Sequence, residues 1–128
     1  MTNSSYSTNY VARHHELQTG LRSLSEAIGP TMSGFGKLHR SAMAAGALDA
    51  ASKELIALAI GITSHCGGCI GFHVHDALAA GATRAQIEET IGVAILMGGG
   101  PAAVFGADAL AALGQFEQKG VTREDGAT

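Results

Sequence analysis

The chain is poor in charge and in aromatic residues, and it has only two cysteines and two prolines. Of its 128 residues 15% are charged and 5% are aromatic, and the net charge is −3 at pH 7. The sequence has no basic stripe interleaved with aromatic residues, which argues against nucleic-acid binding. No apolar run reaches the roughly 18 residues that a membrane helix needs, and residues 1–9 lack the apolar core of a signal peptide. We therefore expect a cytoplasmic protein with no nucleic-acid or membrane partner.

Apolar residues, in contrast, make up 46% of the chain. A chain of this length is expected to form one domain, and a small domain has much surface to cover with polar groups. A high apolar content with little charge therefore predicts a further buried surface between identical subunits, hence a homo-oligomer. An alanine-rich helical core is the alternative explanation.

The spacing of apolar residues predicts an all-α helical bundle with no strand. Residues 1–10 and 119–128 are polar and are predicted to be a disordered N-terminus and a frayed tail on either side of one helical domain, 11–118. Within that domain six helices are predicted, over residues 11–28, 30–45, 50–64, 67–80, 84–97 and 101–116.

Local signals mark several of the helix starts. Asp49 is predicted to be the N-cap of the third helix, and Thr83 and Gln86 match a capping box at the start of the fifth. The third helix is apolar nearly all round, which predicts a central, buried position. Residues 98–100 are three glycines followed by a proline, which indicates a turn rather than a phosphate-binding loop.

Both cysteines lie between the third and fourth predicted helices, as Cys66 and Cys69 of a C-x-x-C motif. Three residues apart at a helix start, their side chains share one face and can form a disulfide. The free N–H groups of a helix start also favour a thiolate. In a cytoplasmic protein this pair is more typical of catalysis or metal binding than of a structural crosslink.

Two further residues complete a candidate redox site. His73 lies four residues after Cys69, one helical turn along the same face, where an imidazole can take the thiol proton or return it to a leaving oxygen. Glu54, an acid in the apolar run of the third helix, can orient His73 or act as the base. Together these residues supply a nucleophile, a base and an orienting acid. His65 is a candidate auxiliary group, and His75 is predicted to face the surface or an interface.

The same residues allow other interpretations. Cys66, Cys69 and His73 could bind zinc, with His65, His75 or Glu54 as a fourth ligand. The two cysteines could also be inert and buried, Glu54 a solvated charge, and His73 a satisfied core histidine. The sequence predicts no bound cofactor.

At Glu54, Cys66, Cys69 and His73 the sequence resembles the AhpD-like (alkylhydroperoxidase D-like) branch of the carboxymuconolactone decarboxylase family. The family signature is a Glu, eleven residues, and then C-x-x-C-x-x-x-H, which these four residues match. The flanking segments K-E-L-I-A-L-A-I and H-D-A-L-A-A-G-A-T-R-A-Q-I-E-E are also similar. The resemblance covers roughly residues 48–113.

The resemblance implies an all-helical fold that assembles as trimers or hexamers, and a thiol peroxidase that reduces organic hydroperoxides. Cys69 would attack the peroxide, Cys66 would resolve the sulfenic acid to a disulfide, and His73 and Glu54 would relay the proton. A dithiol partner, typically a lipoyl group, would reduce the disulfide again.

One position departs from the family pattern. The best-known peroxidases of the branch carry a His two residues after the first cysteine, where this chain has Gly68, and His65 is the candidate substitute. A non-redox enzyme like the family's lactone decarboxylases is a second hypothesis, although those enzymes generally lack the C-x-x-C. A zinc-stabilised or redox-sensing oligomer without turnover is the third.

Overall fold

A computed structural model describes residues 6–122, which form six α-helices joined by short connections and contain no strand. The prediction of an all-α fold is confirmed, and each predicted helix end lies within three residues of the observed one. The helices are α1 (Tyr10–Ala27), α2 (Gly29–Met43), α3 (Ala50–Thr63), α4 (Gly67–Ala79), α5 (Arg84–Gly98) and α6 (Gly100–Lys119).

The predicted caps form as side-chain hydrogen bonds. Asp49 accepts from the Ser52 N–H at the start of α3, and hydrogen bonds from the Ser52 side chain and from this N–H lower the pKa of the Asp49 carboxyl. Thr83 and Gln86 make both bonds of the capping box at the start of α5. Gly81, after α4, has a φ of 99°, a backbone conformation that residues with a Cβ rarely adopt. Because caps and stops act over three or four residues, the sequence alone places these helix ends closely.

The core lies where α3, α4, α5 and α6 pack against one another. Its largest fully buried side chains are Phe116, Leu58, Ile62, Ile70, Ile87, Leu113 and Val74. Helix α1 crosses α4 and α6 and contributes Tyr10 and His14 to the interior. The candidate site residues of α3 and α4 are therefore held on two helices of the packed centre.

Apolar side chains of α2 and α3 are exposed, and for α3 this corrects the predicted buried position. Helix α2 contains no buried residue, and its apolar Phe35 and Leu38 are exposed. Helix α3 is not buried all round, because Ile56 and Ile60 are exposed on one face. Apolar periodicity identifies the side chains that avoid water but not which molecule covers them, and no described element of this chain covers these faces.

Residues 6–9 lie along α6 as a short strap. The Tyr6 hydroxyl donates to Asp108, and Gln115 both accepts from the Tyr10 N–H at 2.6 Å and donates to the Thr8 carbonyl at 2.8 Å. The Asp108 hydrogen bond raises the pKa of Tyr6. Residues 1–5 and 123–128 of the predicted disordered tails lie outside the described residues. None of the helices within 6–122 has the length and apolar character needed to cross a membrane.

Candidate active site

The two cysteines lie at the junction of α3 and α4 and form a disulfide, with their Cα atoms 5.2 Å apart. The chain turns there through His65, a non-glycine residue with a φ of 57°. Two backbone bonds hold the turn, from His65 N–H to the Ile62 carbonyl at 3.2 Å and from Cys66 N–H to the Gly61 carbonyl at 3.0 Å. A left-handed residue of this kind costs on the order of 1–3 kcal/mol. The surrounding helices therefore fix the conformation of the chain that enters the C-x-x-C.

Cys66 is the N-cap of α4, and its sulfur accepts the backbone N–H of Cys69 at 3.2 Å. This geometry puts the Cys66 sulfur at the positive end of the helix dipole, where negative charge on sulfur is stabilised. Helix α3 passes close to the second cysteine, since a Cβ placed on Gly61 would lie 3.4 Å from the Cys69 Cβ. The Cys66–Cys69 pair is therefore held by the start of α4 and by the close approach of α3.

Glu54 and His73 form a hydrogen bond of 2.8 Å between Glu54 Oε2 and His73 Nδ1. Glu54 is buried, with 8% of its surface exposed, and it lies on α3 while His73 lies on α4. With Glu54 ionised, Nδ1 is the donor, which leaves Nε2 as the nitrogen that can exchange a proton. The interpretation of Glu54 as a solvated helix charge is therefore wrong.

Asp76 is a second carboxylate of this site, and it lies outside the motif of Glu54, Cys66, Cys69 and His73. One side-chain ligand atom from each of Glu54, His73 and Asp76 lies within 4.8 Å of the other two. Asp76 also accepts from His75 Nδ1, with Nδ1 and Oδ1 2.8 Å apart. The signal that could have found Asp76 is its position three residues after His73, which places both on one face of α4.

His75 is half-buried between helices, whereas a surface or interface position was predicted. Its ring stacks on that of His14 from α1, with centroids 4.4 Å apart, and meets the edge of Phe116 from α6. His14 is buried, and this burial, together with the charge of His75, lowers its pKa. The prediction failed because helix periodicity does not show where α1 crosses α4.

His65, the auxiliary candidate, contacts another part of the fold. Its ring stacks on Phe105 of α6, with centroids 4.8 Å apart and planes 8° apart. Among the described residues no side-chain hydrogen bond links it to Glu54 or His73. The structure therefore gives His65 a packing contact and leaves its proposed proton-transfer role without support.

Helix α1 covers the start of α4. A Cβ on Gly68 would stand 2.9 Å from Leu17 Cδ1, so Leu17 occupies the space that a side chain at this position would need. A histidine at this position, as in the best-known peroxidases of the branch, would require the Leu17 side chain to move. Beside the site, an open groove of about 1160 Å³ runs between α1 and α6 and includes His14 and His75 in its wall.

The zinc alternative needs two free thiolates. Within a disulfide neither Cys66 nor Cys69 can supply one, so their oxidised pair does not fit a closed zinc site. Glu54, His73 and Asp76 also bring metal-ligating atom types together, but the hydrogen bond between His73 and Glu54 already uses one atom of each. We therefore interpret these three residues as an acid–base cluster.

Comparison with known proteins identifies the family of the chain. The carboxymuconolactone decarboxylase family profile matches residues 30–112. The chain belongs to the carboxymuconolactone decarboxylase family. The family resemblance deduced from Glu54, Cys66, Cys69 and His73 is thus confirmed, in keeping with the AhpD-like branch.

The chain is also similar to two bacterial proteins over most of their length. An uncharacterised protein of Cupriavidus necator is 38% identical over 104 residues, which is 81% of this chain and 92% of that protein. Uncharacterised protein 4 of the cox locus of Paracoccus denitrificans is 41% identical over 83 residues, 65% of this chain and 75% of that protein.

Solved structures share the fold. A carboxymuconolactone decarboxylase family protein of Legionella pneumophila, crystallised in its apo form, has a TM-score of 0.81 at 38% identity, over 84% of this chain and 96% of that one. A Thermotoga maritima protein has a TM-score of 0.77 at 23% identity over 84% of this chain and 96% of that one, and this comparison shows the fold alone.

Proposed function

We propose that the protein is a thiol-dependent peroxidase that reduces organic hydroperoxides through a Cys66–Cys69 dithiol–disulfide cycle. The observation that carries the proposal is the disulfide at the start of α4 with the hydrogen-bonded His73–Glu54 pair on the same helix and its neighbour α3. Family membership supports it, and a related Thermotoga maritima protein has been suggested to act in the antioxidative response.

The proposed oxidation proceeds in two steps. The Cys69 thiolate attacks one peroxide oxygen, the O–O bond breaks, and the alkoxide leaves as an alcohol with a proton from His73 Nε2. Cys66 then attacks the Cys69 sulfenic acid, and the hydroxide leaves as water with the second thiol proton. Glu54 holds the imidazole through Nδ1 in both steps. The disulfide in the structure corresponds to the product of this half-cycle.

A dithiol, such as a lipoyl group on a partner protein, would close the cycle. Its thiolate attacks the Cys69 sulfur, and Cys66 leaves as a thiolate that the Cys69 N–H stabilises at the helix start. The second thiol of the reductant then releases Cys69 and forms the reductant's own disulfide. A cytoplasmic location, where dithiols are kept reduced, suits this cycle.

We further propose that the protein acts as a homo-oligomer, in line with the trimers or hexamers of its family. The support is exposed apolar surface at the end of α5, where Leu96 and Met97 are 80% and 77% exposed, together with the uncovered apolar residues of α2 and α3. Surfaces of this kind usually mark contacts with other molecules.

Thiol counting with mass spectrometry tests the peroxidase proposal. Fully reduced protein, freed of reductant and mixed with an organic hydroperoxide, should lose both thiols and about two hydrogens in mass while it consumes one equivalent of peroxide. Cys69→Ser should abolish turnover, whereas Cys66→Ser should stop after one sulfenic acid per chain. Thiols that do not react with the hydroperoxide, or zinc bound to the reduced protein, would contradict the peroxidase proposal. The two cysteines would then have a metal-binding or structural role without redox turnover.

A non-redox enzyme related to the lactone decarboxylases is the competing function. Under that hypothesis Cys69→Ser would retain activity on a carboxylated lactone, because the thiol takes no part in a decarboxylation. The disulfide observed between the two cysteines favours the redox function.

A further inference from the structure

Two histidine–carboxylate pairs lie next to each other on α3 and α4. The first joins Glu54 of α3 to His73 of α4, and the second joins His75 to Asp76 on α4, each with a 2.8 Å hydrogen bond. The separation between Asp76 and the first pair is at most 4.8 Å, a gap that a small rotation or one water molecule spans. The proposed redox cycle uses only the first pair.

The two carboxylates hydrogen-bond to imidazoles and not to fixed cations. Among the described residues neither Glu54 nor Asp76 forms an ion pair with a lysine or arginine. Buried or half-buried carboxylates are normally compensated by a cation or by hydrogen bonds. Here hydrogen bonds to imidazoles take that place, so the four side chains can exchange protons without breaking an ion pair to a lysine or arginine.

His75 is fixed in an orientation that suits proton transfer. It stacks on His14, contacts the edge of Phe116, and bonds through Nδ1 to Asp76, so its ring has little freedom to rotate. It also lines the groove between α1 and α6. An imidazole bonded through one nitrogen and open to solvent at the other can take a proton on one side and release it on the other.

The redox pair exchanges protons in both half-cycles, and Cys66 and Cys69 are half-buried at the start of α4. Reduction of the disulfide by a dithiol breaks one S–S bond and forms another, and two electrons and two protons pass to Cys66 and Cys69. We propose that His75 and Asp76 form a proton route from the groove to the Glu54–His73 pair and so to the redox cysteines, with Asp76 as the positioning and transfer group.

The proposal rests on the redox function of the cysteine pair and does not depend on the identity of the oxidant. The titratable groups around the route come from every element that faces it or its groove. They are His73 on α4, Glu54 on α3, His14 and His15 on α1, and Lys119 on α6.

The test is stopped-flow reduction of the wild-type disulfide by dithiothreitol across a pH series, compared with Asp76→Asn and His75→Phe. Asn keeps the shape of Asp76, and Phe keeps the stacked ring of His75, but neither carries a proton. Near pH 8 each variant should be slower than wild type by on the order of tenfold, which is less than the roughly 100-fold or more of direct acid–base catalysis because these residues act through His73. Near pH 5.5, where free protons are plentiful, the ratio to wild type should approach one. Added imidazole should restore the rate of both variants.

Matched controls separate proton transfer from structural damage. Asp76→Glu keeps the carboxylate and should retain most of the rate, and Glu89→Gln, an exposed acid on α5, should behave as wild type. Variants as fast as wild type at every pH would overturn the proposal. A uniform slowing at all pH values without rescue by imidazole would also overturn it, since that pattern indicates a packing role. If Asp76→Asn fails to fold, His75→Phe decides the question by the same criteria.

This experiment is separate from the test of the peroxidase function. A wild-type protein that dithiothreitol reduces but that consumes no hydroperoxide would contradict the peroxidase proposal, and the comparison of variants would still report on the proton route.

Discussion

A carboxylate inside an apolar helix is costly unless a partner holds its charge, and Glu54 has such a partner in His73. Asp76 is paired in the same way, through a hydrogen bond to His75. The ring of His75 packs against His14 of α1 and Phe116 of α6. At the scale of single residues, the two acids of the site are therefore each paired with an imidazole. Two other residues are constrained by their surroundings. Gly68 lies against Leu17, and His14 is buried where a charge is unfavourable. Each leads to a prediction.

Gly68→His, which introduces the histidine of the best-known family peroxidases, should destabilise the protein because its Cβ would stand 2.9 Å from Leu17 Cδ1. The loss of unfolding free energy should be larger by about 1 kcal/mol with Leu17 present than in a Leu17→Ala background. Urea denaturation of the four proteins of this cycle measures the difference. Equal losses in the two backgrounds would show that Leu17 does not restrict this position.

His14 should make the fold sensitive to acid. Burial lowers its folded-state pKa below the unfolded value of 6.5, so the unfolded chain binds more protons as the pH falls through that value. The part of the unfolding free energy that depends on neutral His14 should be fully present above about pH 7 and should decline toward pH 5. The loss should be on the order of 1 kcal/mol for each pH unit by which the folded-state pKa lies below the unfolded value.

His14→Phe should weaken this loss, which urea midpoints at a series of pH values can measure. His39→Gln, at an exposed position on α2, is the control and should keep the wild-type dependence. An unchanged acid loss in His14→Phe would assign the effect to other groups.

At the scale of helices, the close approach of α5 and α6 depends on a residue without a side chain. A Cβ on Gly106 of α6 would stand 2.9 Å from Ile91 Cγ2 on α5, and both residues are buried. The neighbouring Gly92 lies on the exposed face of α5, and a Cβ added there would meet no atom within 4 Å. The two glycines therefore form a matched pair, in which one is needed for packing and the other is not.

Gly106→Ala should destabilise the protein by about 1–3 kcal/mol, because the buried Ile91 must move. Gly92→Ala should instead stabilise it by about 0.5–1 kcal/mol, since alanine loses less backbone entropy in a helix. Thermal and urea denaturation measure both changes. A stabilising Gly106→Ala would mean that α5 and α6 are free to separate.

At the scale of the whole molecule, apolar side chains remain uncovered at the ends and outer faces of the helices. Leu96 and Met97 on α5, Ile60 on α3 and Val104 on α6 are all exposed. The low charge of the sequence and these exposed side chains agree with one proposal, a second copy of the chain as the covering partner.

The double substitution Leu96→Glu and Met97→Glu should therefore convert an oligomer to a monomer with unchanged helix content. Analytical ultracentrifugation measures the mass, and circular dichroism the helicity. Thr19→Glu, at an exposed polar position of α1, is the control and should leave the assembly intact. A wild-type protein that sediments as a monomer at micromolar concentration would contradict the proposed oligomer.

The sequence by itself determined the helices and the redox motif. Caps such as Asp49 and Thr83, and the spacing of Cys66, Cys69 and His73 on one helix face, depend on residues a few positions apart, so local chemistry fixes them. Only the tertiary structure decided which side chains meet across helices. The 2.8 Å bond from Glu54 to His73, the position of Leu17 over Gly68, and the stacking of His14 on His75 depend on how α1 and α3 cross α4. The exposure of α2 and of Ile60 was equally beyond the sequence, because apolar periodicity records that a face avoids water and not what covers it.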